Sequence, residues 1–492
     1  MRRFRRTAAT TLAALTFVPV ASADVIFVND NAPGPFHNGN NWNSAYTDLQ
    51  DALAEAVAGD QIWVAGGTYR PTSGTNRTIS FNMKTGVKLY GGFVPGATVV
   101  DDRDPATNLT ILSGEIGGVG IGDNSAHVVR AAGVTASGVL DGFVITRGNA
   151  NIVSPGNPDR FGGGMKLING GPTIRNCHIV DNVADFAGGG ADIVQSEATF
   201  IDCLFSDNAA GSGAGADADN GAPSFWNCRF IGNTADSSGG AIRLLNCTGL
   251  LVNCEIKGNV CLSPLTGTKG GGVFVTGGTA TIVNSTIIAN TAAGGGGLGF
   301  TGATATLRNS IIYHNTGTVV GGHLAQIQAT SSTLQVNACC IEDLDGSLGG
   351  SGNFGDDPLL DPLNSGGAFS LGIARIRAGS PCIDAGGAFL PLDLADLDDD
   401  GVIFEPLPID LAGNPRVADD PLVGPAGLVP DVGAIEFARA GLFRLVDADA
   451  TGAGTGLTWA DAYTDLQDAL ADLNDPKFGG PGEIWVAEGT YV

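Results

Sequence analysis

Three observations predict an all-β fold, a right-handed parallel β-helix with an N-terminal capping helix. A heptapeptide returns at nearly fixed intervals, its positions form columns of like residues, and a glycine cluster precedes most copies. The heptapeptide reads Asn-Cys-His-Ile-Val-Asp-Asn from Asn176 to Asn182, and its relatives begin at Asp202, Asn227, Asn253, Asn284 and Asn309, at steps of 26, 25, 26, 31 and 25 residues. Repetition at this period, with several short strands per unit, marks a solenoid whose coils need only their neighbours.

The columns identify the kind of solenoid. Ile174, Phe200, Phe225, Leu251, Ile282 and Leu307 precede the motif by two residues, and Ile179, Phe205, Phe230, Ile256, Ile287 and Ile312 follow its start by three. Cys177, Cys203, Cys228, Cys254, Ser285 and Ser310 lie between them, all small, whereas the adjoining positions vary freely. Fixed and free positions in alternation are the period-two signature of a strand with one buried face. Asn and Gly fit the corners because they tolerate left-handed backbone. The column Asn182, Asn208, Asn233, Asn259, Asn290 and Asn315 is expected to form an amide ladder along one corner.

Ahead of the coils, residues 45–57 carry Leu49, Ala52, Leu53, Ala56 and Val57 at helical spacing, with Thr47 and Gln50 reading as a capping box. This helix would cover the open end of the first coil. Irregular coils follow with strands at 61–65, 88–93 and 110–114, so residues 24–140 read as the cap and first coils, and 141–345 as the regular repeat. Residues 346–437, rich in Pro and Asp, read as the closing region. At 442–492 the chain begins again: residues 462–471 repeat residues 45–54, and Ile-Trp-Val-Ala returns at 484–487. This predicts the truncated start of a second β-helix, belonging to a longer protein.

Charge and targeting narrow the function. A net charge of −25 excludes nucleic acid and anionic membrane surfaces as partners, since both need basic patches. Residues 1–23 combine four arginines, a short apolar run and Ala-Ser-Ala, the layout of a secretory signal peptide, which predicts a secreted, extracellular or cell-surface protein. No transmembrane span is expected. Parallel strands hold the Cys177 to Cys254 column too far apart for disulfides, so these read as buried thiols; for Cys247, Cys261, Cys339, Cys340 and Cys382 any pairing is left open.

Further motifs carry a family resemblance. Ile62 to Tyr69, Leu89 to Phe93, Ile111 to Gly114 and Leu140 to Phe143 resemble exported bacterial right-handed parallel β-helix repeat proteins, whose fold is the pectate-lyase-like solenoid. Gly239 to Ile242, following Phe230 to Asn233, is similar to the repeat of chlamydial polymorphic outer membrane proteins. Gly379 to Gly386, Asp410 to Arg416 and Pro430 to Glu436 resemble the choice-of-anchor closing module. The resemblance implies an extracellular or cell-surface location and no particular reaction.

The outer columns are where chemistry would lie. Glycoside hydrolysis needs an acid and a base on one face, and lyase chemistry needs acidic calcium ligands with a Lys or Arg base. Asp181 and Asp207 stack one coil apart and are the catalytic candidates, with turn and solvation duty as the competing explanation. Trp226 is the outward aromatic available to a glycan. Asp396, Asp398 and Asp400, at alternating positions before Gly401, form a candidate calcium loop, although the twelfth position of an EF-hand falls on Leu407 and Glu405 comes two residues early. Five scattered histidines show no metal-ligand spacing. The function expected is a secreted or cell-surface structural, adhesion or glycan-contact module without catalysis. The alternative is a polysaccharide lyase or glycoside hydrolase acting in the groove along the coils, and calcium is the cofactor considered.

Overall fold

The structure, a computed structural model, describes residues 23–492 except 119, 153–157, 266, 268, 319–321, 362–371, 418–428, 438–441, 453, 455–461, 474–481 and 488–492. Apart from Ala23, the signal-peptide segment lies outside the described residues, as do Trp459 and the last residues of the duplicated strand motif.

The chain is a right-handed parallel β-helix with four long sheets. They hold 11, 10, 7 and 9 strands, and a single coil contributes one strand to each. In one coil the strands are Thr173–Arg175, His178–Val180, Val183–Ala187 and Ala191–Val194. The next coil repeats them in register, Ile174 beside Phe200 and Ile179 beside Phe205. These are the inward columns read from the sequence, and all four residues are buried. Stacking makes ladders of them: Phe200 lies on Phe225 at 5.1 Å between centroids, and Phe205 on Phe230 at 4.6 Å. Each of Cys177, Cys203, Cys228 and Cys254 is buried and donates to a carbonyl of the preceding coil, as Cys203 does to Ile174.

The corners divide the work between two residue types. Left-handed backbone falls on Asn176, Asp202, Asn227, Asn253, Asn284 and Asn309, at the start of each motif, and on Asp181, Asp207, Gly232, Gly258, Ala289 and His314, one residue ahead of the ladder asparagines. The ladder residues themselves do not need that conformation. Asn208 is 1% exposed; its Nδ2 donates to Asn233 Oδ1 at 3.0 Å and to the Ile179 carbonyl at 2.8 Å, and its backbone N–H also reaches Asn233 Oδ1 at 3.1 Å. The pattern runs from Asn182 to Asn315 and ends on Gln326 Oε1. The glycine clusters mark where coils approach most closely. A Cβ on Gly164 would lie 2.5 Å from the Gly190 carbonyl and 2.9 Å from Asn182 Nδ2.

Helix α1 spans Leu49–Glu55. Asp48, not Thr47, is its N-cap and accepts from the Gln50 N–H at 2.9 Å, while the Gln50 side chain donates to Pro71 and Ser80 carbonyls. Its Leu49, Ala52 and Leu53 join the main core with Ile26, Val28 and Ile62. The same local arrangement recurs late in the chain. Val25–Val28 pairs with the Gln61–Ala65 strand, and Leu442–Val446 pairs in parallel with Gly482–Val486, with helix α2 at Leu466–Leu473 between them. No described helix is long and apolar enough to cross a membrane.

The described residues of 372–417 and 429–437 turn back along the outside of the solenoid. Within this segment the three closing motifs interlock. Asp384 N–H donates to Asp431, Val432 N–H donates to the Cys382 carbonyl, and Arg416 Nε sits 3.2 Å from Glu436 Oε1. Arg416 is fully buried and donates to the Asp431 and Gly433 carbonyls. Asp410 binds the backbone N–H groups of Ala412, Asn414 and Glu436. The segment then meets successive coils: Gly433 and Asn309, Ala434 and Thr286, Ala374 and Glu255, Ile409 and Asn253, Asp399 and Arg175.

Candidate functional site

That return path decides which outer surface stays open. Ile201, Trp226 and Val252 face outward from the first sheet, yet Ala395, Leu397 and Leu407 cover them. Trp226 is 3% exposed and so is not available to a glycan, contrary to the reading of its column alone. Further along, Leu360, Ala374, Ile376 and Val432 cover Ile288 and Ile311. Glu255, fully buried, accepts from Arg229 at 2.8 Å and from the Ala374 N–H at 2.8 Å.

Beyond the tip of this segment the corner between the first two sheets opens into a cleft of about 510 Å³, lined in part by Arg103, Asp104, Asn176, His178 and Asp202. Backbone geometry places these side chains. Gly142, Asn176 and Asp202 are the left-handed corner residues of consecutive coils, so they leave the tube at one edge. Arg103 comes from the loop after Phe93 and pairs with Asp141 at 2.8 Å, while Asn176 donates to the same carboxylate at 3.0 Å. Asp202 lies beside Asn227, the corner residue of the next coil. Burial pushes its carboxyl up to about 6 against the lowering effects of Asn227 and Arg175, with Asp399 and Asp141 adding to the rise. Desolvation and the Arg229 charge hold the His178 imidazole below its usual range. Asp104, bonded to Thr107 and Ala106, is held low and stays ionised.

Sequence reasoning passed over Asp202. Its signal was available, since it is the acid in a corner column that otherwise reads Asn176, Asn227, Asn253, Asn284 and Asn309. The expected candidates lie elsewhere. Asp181 and Asp207 are exposed, at φ 54° each, on the opposite corner of the second sheet, outside both clefts described here. A wider cleft of about 700 Å³ near that corner is lined in part by Asp48, Tyr69, Arg70, Glu115 and Arg147. Asp48 there caps helix α1 and Arg70 holds the Glu115 carbonyl, so these groups already serve local structure.

A second charged column crosses four coils. On the fourth sheet Lys166, Asp192, Asp217 and Arg243 stand in register on four coils. Lys166 pairs with Asp192, and Arg243 with Asp217 at 2.9 Å. Acids beside bases on adjacent coils would be expected of an enzyme, but Asp192 and Asp217 are at most 2% exposed, which closes them to a polymer. Burial raises Asp217 to about 6, and that carboxylate in turn raises Arg243, so the column is an ion network within the wall.

The acidic loop gathers two overlapping sets. Asp396, Asp398 and Asp400 bring carboxylate oxygens within 4.8 Å of one another, and so do Asp393, Asp398 and Glu405. Asp396 and Asp399 are left-handed, as is Gly401, whose N–H donates to Asp396 at 3.0 Å. Glu405 thus joins the set from its early position. Its Oε1 is buried without a hydrogen-bond partner, and desolvation with the charges of Asp400, Asp398, Asp393 and Asp396 raises its carboxyl. An all-oxygen donor set with one unpartnered oxygen fits a hard divalent cation.

The class defined by these observations is a right-handed parallel β-helix with an open polar cleft at one corner. Residues 219–354 match the family model described as the right handed beta helix region. No curated protein matches the chain. Solved structures similar to it include pectate lyase Pel9A, at 13% identity over 85% of this chain and 97% of that one with a TM-score of 0.42. A rhamnogalacturonan lyase matches at 12% identity, 63% and 87% coverage and a TM-score of 0.29. An alginate lyase from Paenibacillus sp. str. FPU-7 matches at 11% identity, 58% and 96% coverage and a TM-score of 0.20.

Proposed function

We propose that this is a secreted or cell-surface glycan-contact module that holds a neutral saccharide segment in the Asp202 cleft. The observation that carries this reading is that residues 372–417 and 429–437 cover the outer groove from the coil of Asn309 to that of Ile201, while the cleft at the corner beside Asp202 stays open and polar. Carboxylates and an imidazole suit sugar hydroxyls, and aliphatic lining from Val100, Leu109 and Val144 suits ring faces. Asp101, Asp104 and Asp202 make the cleft acidic, and its Arg103 is already paired, so a polyuronate would be repelled. Residues 1–23 supply the export signal, helix α1 closes the open end of the first coil, and residues 346–437 act as a choice-of-anchor-like closing module. Calcium held by Asp396, Asp398 and Asp400 would stiffen the tip of that module; its chemical contribution there is charge neutralisation.

One observation favours a second reading, a glycoside hydrolase. A carboxyl titrating near 6 at the edge of a cleft has the protonation a general acid needs. Incubating the full chain with a panel of neutral and acidic polysaccharides separates the two. Retention of a neutral glycan, lost in Asp202→Ala and without new reducing ends, supports the contact module. Reducing ends that disappear in Asp202→Asn would establish the hydrolase, and the absence of both binding and cleavage would reject the site.

A further inference from the structure

We infer that Cys340 and Cys382 form a disulfide that pins the returning segment to the second sheet when the chain meets a disulfide oxidant. Both side chains are fully buried in one cluster outside the tube, among Ile288, Ile311, Leu360, Ile376 and Val432. Cys340 Sγ donates to the Asp356 carbonyl at 3.2 Å, and the neighbouring Cys382 thiol, together with burial, pushes the Cys340 thiol up. Neighbouring positions on a strand face opposite ways, and this separates Cys340 from Cys339, which belongs to the interior core instead.

Strand pairing sets this pair apart from the other cysteines. Cys177, Cys203, Cys228 and Cys254 are held on consecutive parallel coils about 4.8 Å apart, beyond the roughly 3.8 Å between β-carbons that a disulfide requires. Cys382 is on an irregular segment, so its approach to Cys340 is not fixed by a sheet.

The reaction is thiol–disulfide exchange. One thiolate attacks a low-molecular-weight or protein disulfide, forming a mixed disulfide and releasing one thiol of the oxidant; the second thiolate then displaces the other. Two protons leave the cysteines, the pair loses two electrons, and the oxidant is reduced to two thiols. Because both sulfurs are sealed from solvent in the folded chain, exchange takes place while the segment is still seating. The product closes a covalent loop from the last coil to the closing motifs. It makes the cover over the outer groove permanent and confines ligands to the open cleft.

The test uses the full chain produced in an oxidising and in a reducing compartment, alkylated with iodoacetamide in denaturant and mapped by peptide mass. Nine cysteines less the two in the bond leave seven alkylated in the oxidised material, with one cross-linked peptide pair whose fragmentation places the bond at Cys340 and Cys382, against nine alkylated in the reduced material. Cys339→Ala should retain the cross-link and Cys382→Ala should lose it. Nine alkylated cysteines in the oxidised wild-type chain, or a bond omitting either residue, would overturn the inference, and this mapping does not depend on how the variants fold.

Discussion

Arg175 Nη2 and Asp399 Oδ1, 224 residues apart in the chain, meet at 2.7 Å where the tip of the returning segment touches the first sheet. The Asp399 side chain is 73% exposed, so water screens this pair and it contributes little on its own, about 0–1 kcal/mol. The segment is held instead by the apolar patches behind it. Its position matters because the Asp202 cleft begins where this contact ends.

Replacing Trp226 by Ala tests what holds the segment. The indole is buried under Ala395, Leu397 and Leu407, and losing a large buried aromatic costs about 3–5 kcal/mol. Arg175→Ala should cost less than about 1 kcal/mol. Equilibrium denaturation measures both losses. Limited proteolysis should cut residues 372–437 much faster in Trp226→Ala, and equal cutting rates in the two variants would show that the patch is not the anchor.

Asn233→Ala removes one rung of the corner ladder. The acceptor lost is Asn233 Oδ1, which serves both the backbone N–H and the side-chain Nδ2 of buried Asn208. Each buried donor left unsatisfied costs roughly 1–3 kcal/mol, so a loss of about 2–6 kcal/mol is expected in denaturant titrations. Alanine in place of exposed Asp207, one residue before its own rung, should cost less because only the strained turn is affected.

Much of the architecture was legible because one residue in one column says the same thing on every coil. Ile179, Phe205 and Phe230 report a buried face together, though none would do so alone. The returning segment was not legible. Its contacts join residues such as Asn253 and Ile409, 156 positions apart, and it has no period to carry a signal. Trp226 is the clearest consequence: alternation correctly turns it away from the tube, but only the distant Leu397 and Leu407 show that it is buried. Asp202 was visible as an exception within an asparagine column, but its environment depends on the loop bearing Arg103 and Asp104.

Asp202→Asn should stabilise the chain in a pH-dependent way. The carboxyl rises from 3.8 to about 6 on folding, so protonation favours the folded state. Its contribution is therefore full below pH 3.8 and is lost as pH rises through 6. Two units correspond to about 3 kcal/mol as an upper figure. The variant should gain up to that amount over wild type above pH 6 and nothing below pH 4, while losing glycan retention. A gain that does not vary with pH would mean that Asp202 is already ionised without penalty.

Calcium supplies the remaining prediction. Asp396, Asp398 and Asp400 crowd like charges at the tip of the segment, and an ion bound only by the folded loop stabilises it by RT ln(1 + [L]/Kd), about 2.7 kcal/mol at a hundredfold excess over Kd. For a chain of this size that is a rise in Tm on the order of a few degrees, reversed by chelator. Asp398 belongs to both overlapping sets, so Asp398→Asn should abolish the rise, whereas Asp361→Asn, outside the loop, should retain it. Because the tip borders Asp202 through Arg175 and Asp399, calcium should also tighten glycan retention at fixed pH. A Tm indifferent to both calcium and chelator would leave the loop as a solvated acidic turn, held by its own N–H bonds to Asp393 and Asp396.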